Sequence, residues 1–100
     1  MDIRQAFGHS LKVARKSKRL SQEDFSIASS RTYLSSLERG LKSPTLDKIN
    51  ALAERMEIHP LTLLTLTYLC QQNETDPTRL HKQITTEINS ILSGIVSISE

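Results

Sequence analysis

Apolar side chains recur along this chain at three- and four-residue intervals, and the rhythm breaks at a few Ser, Gly and Pro positions. That is the period of amphipathic helices rather than strands. Residues 2–18 form the first, with Phe7, Leu11 and Ala14 on one stripe and Ile3 a turn earlier; Arg4, Lys12, Arg15, Lys16 and Lys18 dominate its other surface. Ser21 is suited to cap a second helix over 22–28. Asp24 closes that capping box only weakly, being one methylene shorter than Glu. The second helix buries Phe25 together with Ile27 or Ala28. Ser29 and Ser30 interrupt it, and Ser30 caps a third helix over 31–38. Leu34 and Leu37 face the core there, leaving Arg31, Thr32, Ser35, Ser36 and Arg39 outward.

Gly40 ends the third helix in the left-handed conformation, and Pro44 stops the loop 41–44. A fourth helix, 45–56, carries Leu46, Ile49, Leu52, Ala53 and Met56 on one stripe. Pro60 opens a fifth, running to Gln71, as its first residue; Leu61, Leu63, Leu64, Leu66, Tyr68 and Leu69 are spread too widely for a single neighbour. After the polar hinge 71–76, Asp76 and Pro77 start a last helix ending between 93 and 98, where Gly94 frays or ends it. Leu80, Ile84, Ile88, Ile91, Leu92 and Ile95 trace one seam along it. The expected fold is all-α, with residues 1–71 as one unit and 72–100 as a helical segment.

Charge changes this picture in one respect. Residues 1–60 hold eleven Lys/Arg against seven Asp/Glu, whereas 61–100 hold two against four. Residues 12–19 carry five cations and no acid. The asymmetry tilts the first unit toward a polyanion. No apolar run is long enough to span a bilayer, so no membrane partner is expected. Cys70 stands alone, which suits a reducing cytoplasm or nucleoid and leaves no disulfide framework. His9, His59 and His81 are too scattered to hold a metal; His59, before Pro60, fits a helix cap. No Ser, Cys or His pair forms a nucleophile and base, and no glycine-rich phosphate loop is present. Neither catalysis nor a cofactor is expected.

Leu20, Ser21, Gln22, Glu23 and Phe25, then Arg31, Tyr33, Leu34, Ser35, Leu37, Glu38, Arg39 and Gly40, followed by Ser43-Pro44-Thr45-Leu46, resemble the lambda/434 repressor and Cro family of helix-turn-helix regulators. The likeness covers roughly residues 5–66. It implies a five-helix DNA-binding domain, here with an additional C-terminal helix, whose third helix enters the major groove. It assigns base contacts to Arg31, Thr32, Ser35 and Ser36, and backbone contacts to Gln22, Tyr33, Arg39, Lys42 and Ser43. Arg31 suits the O6 and N7 of guanine, and the Thr32 methyl suits a thymine methyl. Gln22, at a helix start, suits phosphate. Glu38 would be repelled by DNA if bare; the family's solution is an ion pair with a first-helix arginine, here Arg15. The sequence departs from the family between Ser21 and Arg31, which has two residues fewer and no turn glycine. A shift of one position there rotates a side chain by about 100° around the helix.

Modules of this kind commonly act as two-fold dimers on half-sites about 34–36 Å apart. Two readings of the seam Leu80, Ile84, Ile88, Ile91, Leu92 and Ile95 stand open: dimer contact, aided by Leu63, Leu66 and Leu69, or folding back on its own domain. The implied function is a sequence-specific regulator, a homodimeric repressor on a palindromic operator of double-stranded DNA, with contact to RNA polymerase an open route to activation. The alternative is an antitoxin-like or adaptor module whose helical tail binds a protein.

Overall fold

A computed structural model describes residues 1–25 and 30–99, with side chains through residue 95. The elements are α1 (Ile3–Ser17), a 3-10 turn (Glu23–Phe25), α2 (Arg31–Glu38), α3 (Leu46–Arg55), α4 (Pro60–Gln71) and α5 (Thr78–Ser99). The fold is all-helical among the described residues.

Each helix start is set by a side chain. Asp2 and Gln5 form a reciprocal capping box on α1, while Ser30 and Thr45 accept from the N–H groups of Tyr33 and Lys48. His59 caps α4 through Nδ1, which accepts from the Leu61 N–H at 3.0 Å, with Pro60 at the first helical position. Asp76 holds the start of α5 by accepting from both the N–H and the hydroxyl of Thr78. Such caps satisfy backbone donors that a helix terminus leaves open.

The helix ends share one geometry. After α1, α2, α3 and α4 the chain passes through a left-handed residue: Arg19 (φ 58), Gly40 (φ 73), Glu57 (φ 58) and Asn73 (φ 54). At each, the residue after it donates back to the fifth carbonyl upstream, as Leu41 does to Ser36 and Ile58 to Ala53, both at 3.0 Å. This double-bonded turn satisfies orphan carbonyls and reverses the chain. Only one of the four positions carries the glycine that the conformation favours.

Phe7, Leu11, Phe25, Leu34, Leu37, Leu52, Met56 and Leu63 build the core. α4 packs against both α1 and α3, which explains its broad apolar surface. Two expectations about apolar positions fail, and one about a helix end. Leu46 is 76% exposed, because as the first residue of α3 it precedes the turn that packs. Leu63 and Leu69 are inside the core and cannot aid a dimer; Leu66 is half-buried against it. Gly94 does not end α5, which continues to Ser99. Ile27 and Ala28 lie outside the described residues.

α5 leads away from this unit rather than folding over it. Its residues 81–95 are exposed, and Leu80 is half-buried at its base. With about 1.5 Å per residue, a 22-residue helix accounts for much of the molecule's 50 Å length.

Candidate nucleic-acid interface

α2 is short, and its inner side is fixed at several points. Leu34 and Leu37 are fully buried. Gly8 of α1 abuts the last carbonyls of α2: a Cβ there would collide with the Leu37 oxygen and fall 2.6 Å from that of Glu38. Gly40 lies less tightly against the Gln5 backbone, where a Cβ would fall 3.0 Å from the Gln5 Cα. Sequence reasoning passed over Gly8, although a glycine inside an otherwise good amphipathic helix costs about 1 kcal/mol in propensity and calls for a packing reason.

Arg15 and Glu38 complete the lock. Arg15 Nε and Nη2 donate to the two Glu38 oxygens at 2.7 and 3.0 Å, and Nη1 donates to the Leu20 carbonyl at 2.8 Å. The side chains are 8% and 4% exposed. A fork-shaped cation on a carboxylate in so dry a setting uses most of the donors it has. The Glu38 hydrogen bond raises the Arg15 pKa above its ordinary value, against the opposing effect of burial. Arg15 is thus not part of the exposed cation run 12–19; Lys12, Lys16, Lys18 and Arg19 are.

Gln22 joins the same cluster. Its Nε2 donates to Glu38 Oε1 at 3.1 Å, and the residue is half-buried. The expected amide-to-phosphate donor is therefore already engaged at one hydrogen, with one amide hydrogen left.

The expected second helix differs from its reading. Glu23–Phe25 is a 3-10 turn, with Asp24 N–H bonded to Ser21 O and Phe25 N–H to Gln22 O, both at 3.2 Å; residues 26–29 of that reading lie outside the described residues. The tighter winding stacks positions three apart. Asp24 consequently closes the box that its length was expected to weaken: its Oδ2 accepts from the Ser21 N–H at 2.7 Å and hydroxyl at 3.0 Å. These bonds hold its pKa below the usual aspartate range, the Ser21 backbone N–H having the larger effect. Arg55 of α3 donates to the Asp24 carbonyl at 2.8 Å and ties the turn to the core.

The outer side of α2 presents Arg31 and Thr32 exposed, Ser35 half-exposed and Arg39 exposed, with Lys42 and Ser43 exposed on the following loop. Tyr33 is half-buried, and the ammonium groups of Lys42 and Lys48 each lie 5.5 Å from its ring centre. The ring thereby holds two cations near one edge of the surface by cation–π attraction. Lys48 was not singled out by the sequence.

Ser36 is a correction. It is only 8% exposed and offers no hydroxyl to a base edge. It lies one turn beyond Tyr33, and its carbonyl receives the Leu41 N–H. Helical periodicity counts faces of one helix and does not see burial by other segments.

Among the described residues, no group of His, Cys, Asp and Glu could hold a metal ion, and no helix is long and apolar enough to cross a membrane. What the geometry does provide is a rigidly held short helix whose amino end faces outward among cations. A preceding turn braces it. This is the helix-turn-helix arrangement of DNA-binding regulators.

Comparison with known proteins bears this out. A family model described as Helix-turn-helix matches residues 11–63. The chain is 38% identical over 69 residues to the uncharacterized HTH-type transcriptional regulator y4dJ of Sinorhizobium fredii, covering 67% of this chain and 90% of that relative. It is 35% identical over 78 residues to control protein C.BamHI of Bacillus amyloliquefaciens, covering 73% and 96% respectively. The chain belongs to the helix-turn-helix family of XRE-type, lambda/434 repressor and Cro-like DNA-binding transcriptional regulators.

Proposed function

We propose that this regulator is a cytoplasmic homodimeric repressor that places α2 of each subunit in successive major grooves of a palindromic operator. The observation that carries the proposal is the two-sidedness of α2: its inner side is locked by Gly8 and the Arg15–Glu38 pair, while Arg31 and Thr32 stand exposed at its amino end. In this reading Arg31, Thr32 and Ser35 meet base edges. Arg39, Lys42, Ser43, Tyr33 and the remaining Gln22 amide hydrogen meet the backbone. Lys48, held with Lys42 on the Tyr33 ring, joins the backbone set. Phosphate contacts fix register while base contacts carry sequence.

The division into a DNA-reading unit, 1–71, and a dimerising segment, 72–100, belongs to the same proposal. Ile84, Ile88, Ile91 and Leu92 are 37–62% exposed along one side of α5, in line with Leu80 and Ile95. A second copy of α5 covers this side in antiparallel or parallel register and positions the two α2 helices about one DNA turn apart. Repression by occupying a promoter needs no further part of the molecule. Activation would need an additional contact with RNA polymerase.

Titration of duplex binding with salt tests this reading. A steep fall in affinity, together with an affinity ratio of about a thousandfold or more between specific and scrambled duplexes, is expected. The α5 seam also suits a protein-interaction adaptor. Binding no better than to scrambled DNA, with a stable complex formed through α5, would favour that second reading.

A further inference from the structure

We infer that Glu23 is a specificity-determining residue that positions Arg31 for a guanine. The inference rests on the reading of α2 as the groove-entering helix. Glu23 Oε1 accepts from Arg31 Nη1 at 3.1 Å, linking the 3-10 turn to the amino end of α2. The side chains are 74% and 67% exposed, so the pair adds little to folding. Its consequence lies in where it leaves the guanidinium.

The carboxylate projects from a turn that cannot easily move. Phe25 is fully buried, Arg55 holds the Asp24 carbonyl, and the Ser21–Asp24 box closes the other side. The Glu23 backbone is therefore anchored, and its exposed side chain biases Arg31 from a fixed origin. The bond engages one guanidinium nitrogen and leaves the Nε–Nη2 edge, two parallel donors, for O6 and N7 of a guanine. An arginine already restrained loses less freedom on binding. The same carboxylate stands beside the approach to DNA and repels phosphates. That repulsion weakens binding to every duplex alike and so changes no ratio between them. Glu23 sharpens discrimination by aiming Arg31.

The test uses the full chain, a duplex enriched from a random pool by the wild-type protein, every single-base-pair variant of that duplex, and a scrambled duplex. Arg31→Ala identifies the base pair that Arg31 reads. With Glu23→Gln, discrimination at that pair is expected to fall on the order of fivefold or more, with other positions unchanged and scrambled DNA bound more tightly. Glu23→Asp, which keeps the charge but withdraws it, is expected to lose the discrimination without the general gain. An equal gain on all duplexes with discrimination intact would leave Glu23 as a repelling charge and overturn the inference, as would unchanged binding. If instead Arg31→Ala alters no base preference while the wild type remains sequence-selective, the base role of Arg31 is what fails, and the inference falls with it.

Discussion

Gly8 and Glu38 approach so closely that a β-carbon on the first would lie 2.6 Å from the carbonyl oxygen of the second. α1 therefore crosses the carboxy end of α2 backbone to backbone, and two turns further along Arg15 reaches the Glu38 side chain. The orientation of α2 is held by α1 at the backbone and at the side chain of Glu38. Gly8→Ala consequently lowers stability, even though alanine gains about 1 kcal/mol in helix propensity. Backbone carbonyls cannot rotate aside as a side chain would, and an overpacking cost of about 1–3 kcal/mol in excess of that gain is expected. Thermal melting of the variant measures it.

Arg15→Met leaves the Glu38 carboxylate buried without its cation and the Leu20 carbonyl without its donor. A loss of about 3–5 kcal/mol is expected, which in a domain of this size lowers Tm on the order of 10 °C or more. Lys18→Met, on the exposed surface, changes stability by no more than about 0.5 kcal/mol. Adding Glu38→Leu to Arg15→Met should recover much of the loss, since a buried pair replaced as a whole by apolar side chains leaves no orphaned charge. Paired melting curves give the order.

The left-handed helix ends predict substitutions of opposite sign. Glu57 adopts φ 58 at the end of α3, where a side chain is strained. Glu57→Gly is expected to raise stability by up to about 1 kcal/mol. Gly40→Ala is expected to cost more than about 1 kcal/mol, because it adds a Cβ 3.0 Å from the Gln5 Cα to the same backbone strain. Denaturant midpoints at constant slope report both.

Asp24 couples the brace of α2 to pH. Its folded pKa is lower than its unfolded one, so the ionised form stabilises the fold. That contribution is complete above the ordinary aspartate value and disappears as pH falls through the lower, folded value. Acidification from neutral should lower the wild-type Tm more steeply than that of Asp24→Asn. Glu74 and Asp76, held by the N–H groups and hydroxyl of the α4–α5 turn, add the same sign in both proteins. The difference between the two curves therefore isolates Asp24.

Ile84→Asp places a charge in the α5 seam, and sedimentation is expected to show a monomer with unchanged helical content. An unchanged dimer would remove α5 from the interface. Because Ile84 is 37% exposed and belongs to no core cluster, the substitution leaves α1–α4 folded.

Most helix spans were legible because each is marked twice, by an apolar stripe and by a capping side chain: α2 from Ser30 and Leu34/Leu37, α4 from His59-Pro60 and its leucines. The ion pair of Arg15 and Glu38 was legible only through the family resemblance, since nothing in a spacing of 23 residues pairs them. What periodicity missed depends on other segments. Ser36 is buried although it sits among the polar positions of α2, and Gln22 turns inward because Glu38 offers an acceptor. The 3-10 winding at 23–25 follows from i→i+3 bonds that an amphipathic pattern does not distinguish from α-helix. Arg19 and Glu57 carry no sequence signal for a left-handed turn, whereas Gly40 and, more weakly, Asn73 do.

Selection of duplexes from a random pool by the wild-type protein is the sharpest test of the claim that two α2 helices read one operator. The claim predicts two inverted half-sites with centres about one helical turn, 10–11 base pairs, apart, and loss of one preferred base pair per half-site when the selection is repeated with Arg31→Ala. A pool that never diverges from its starting composition, or a single unpaired site unaffected by substitutions in α2, would contradict it.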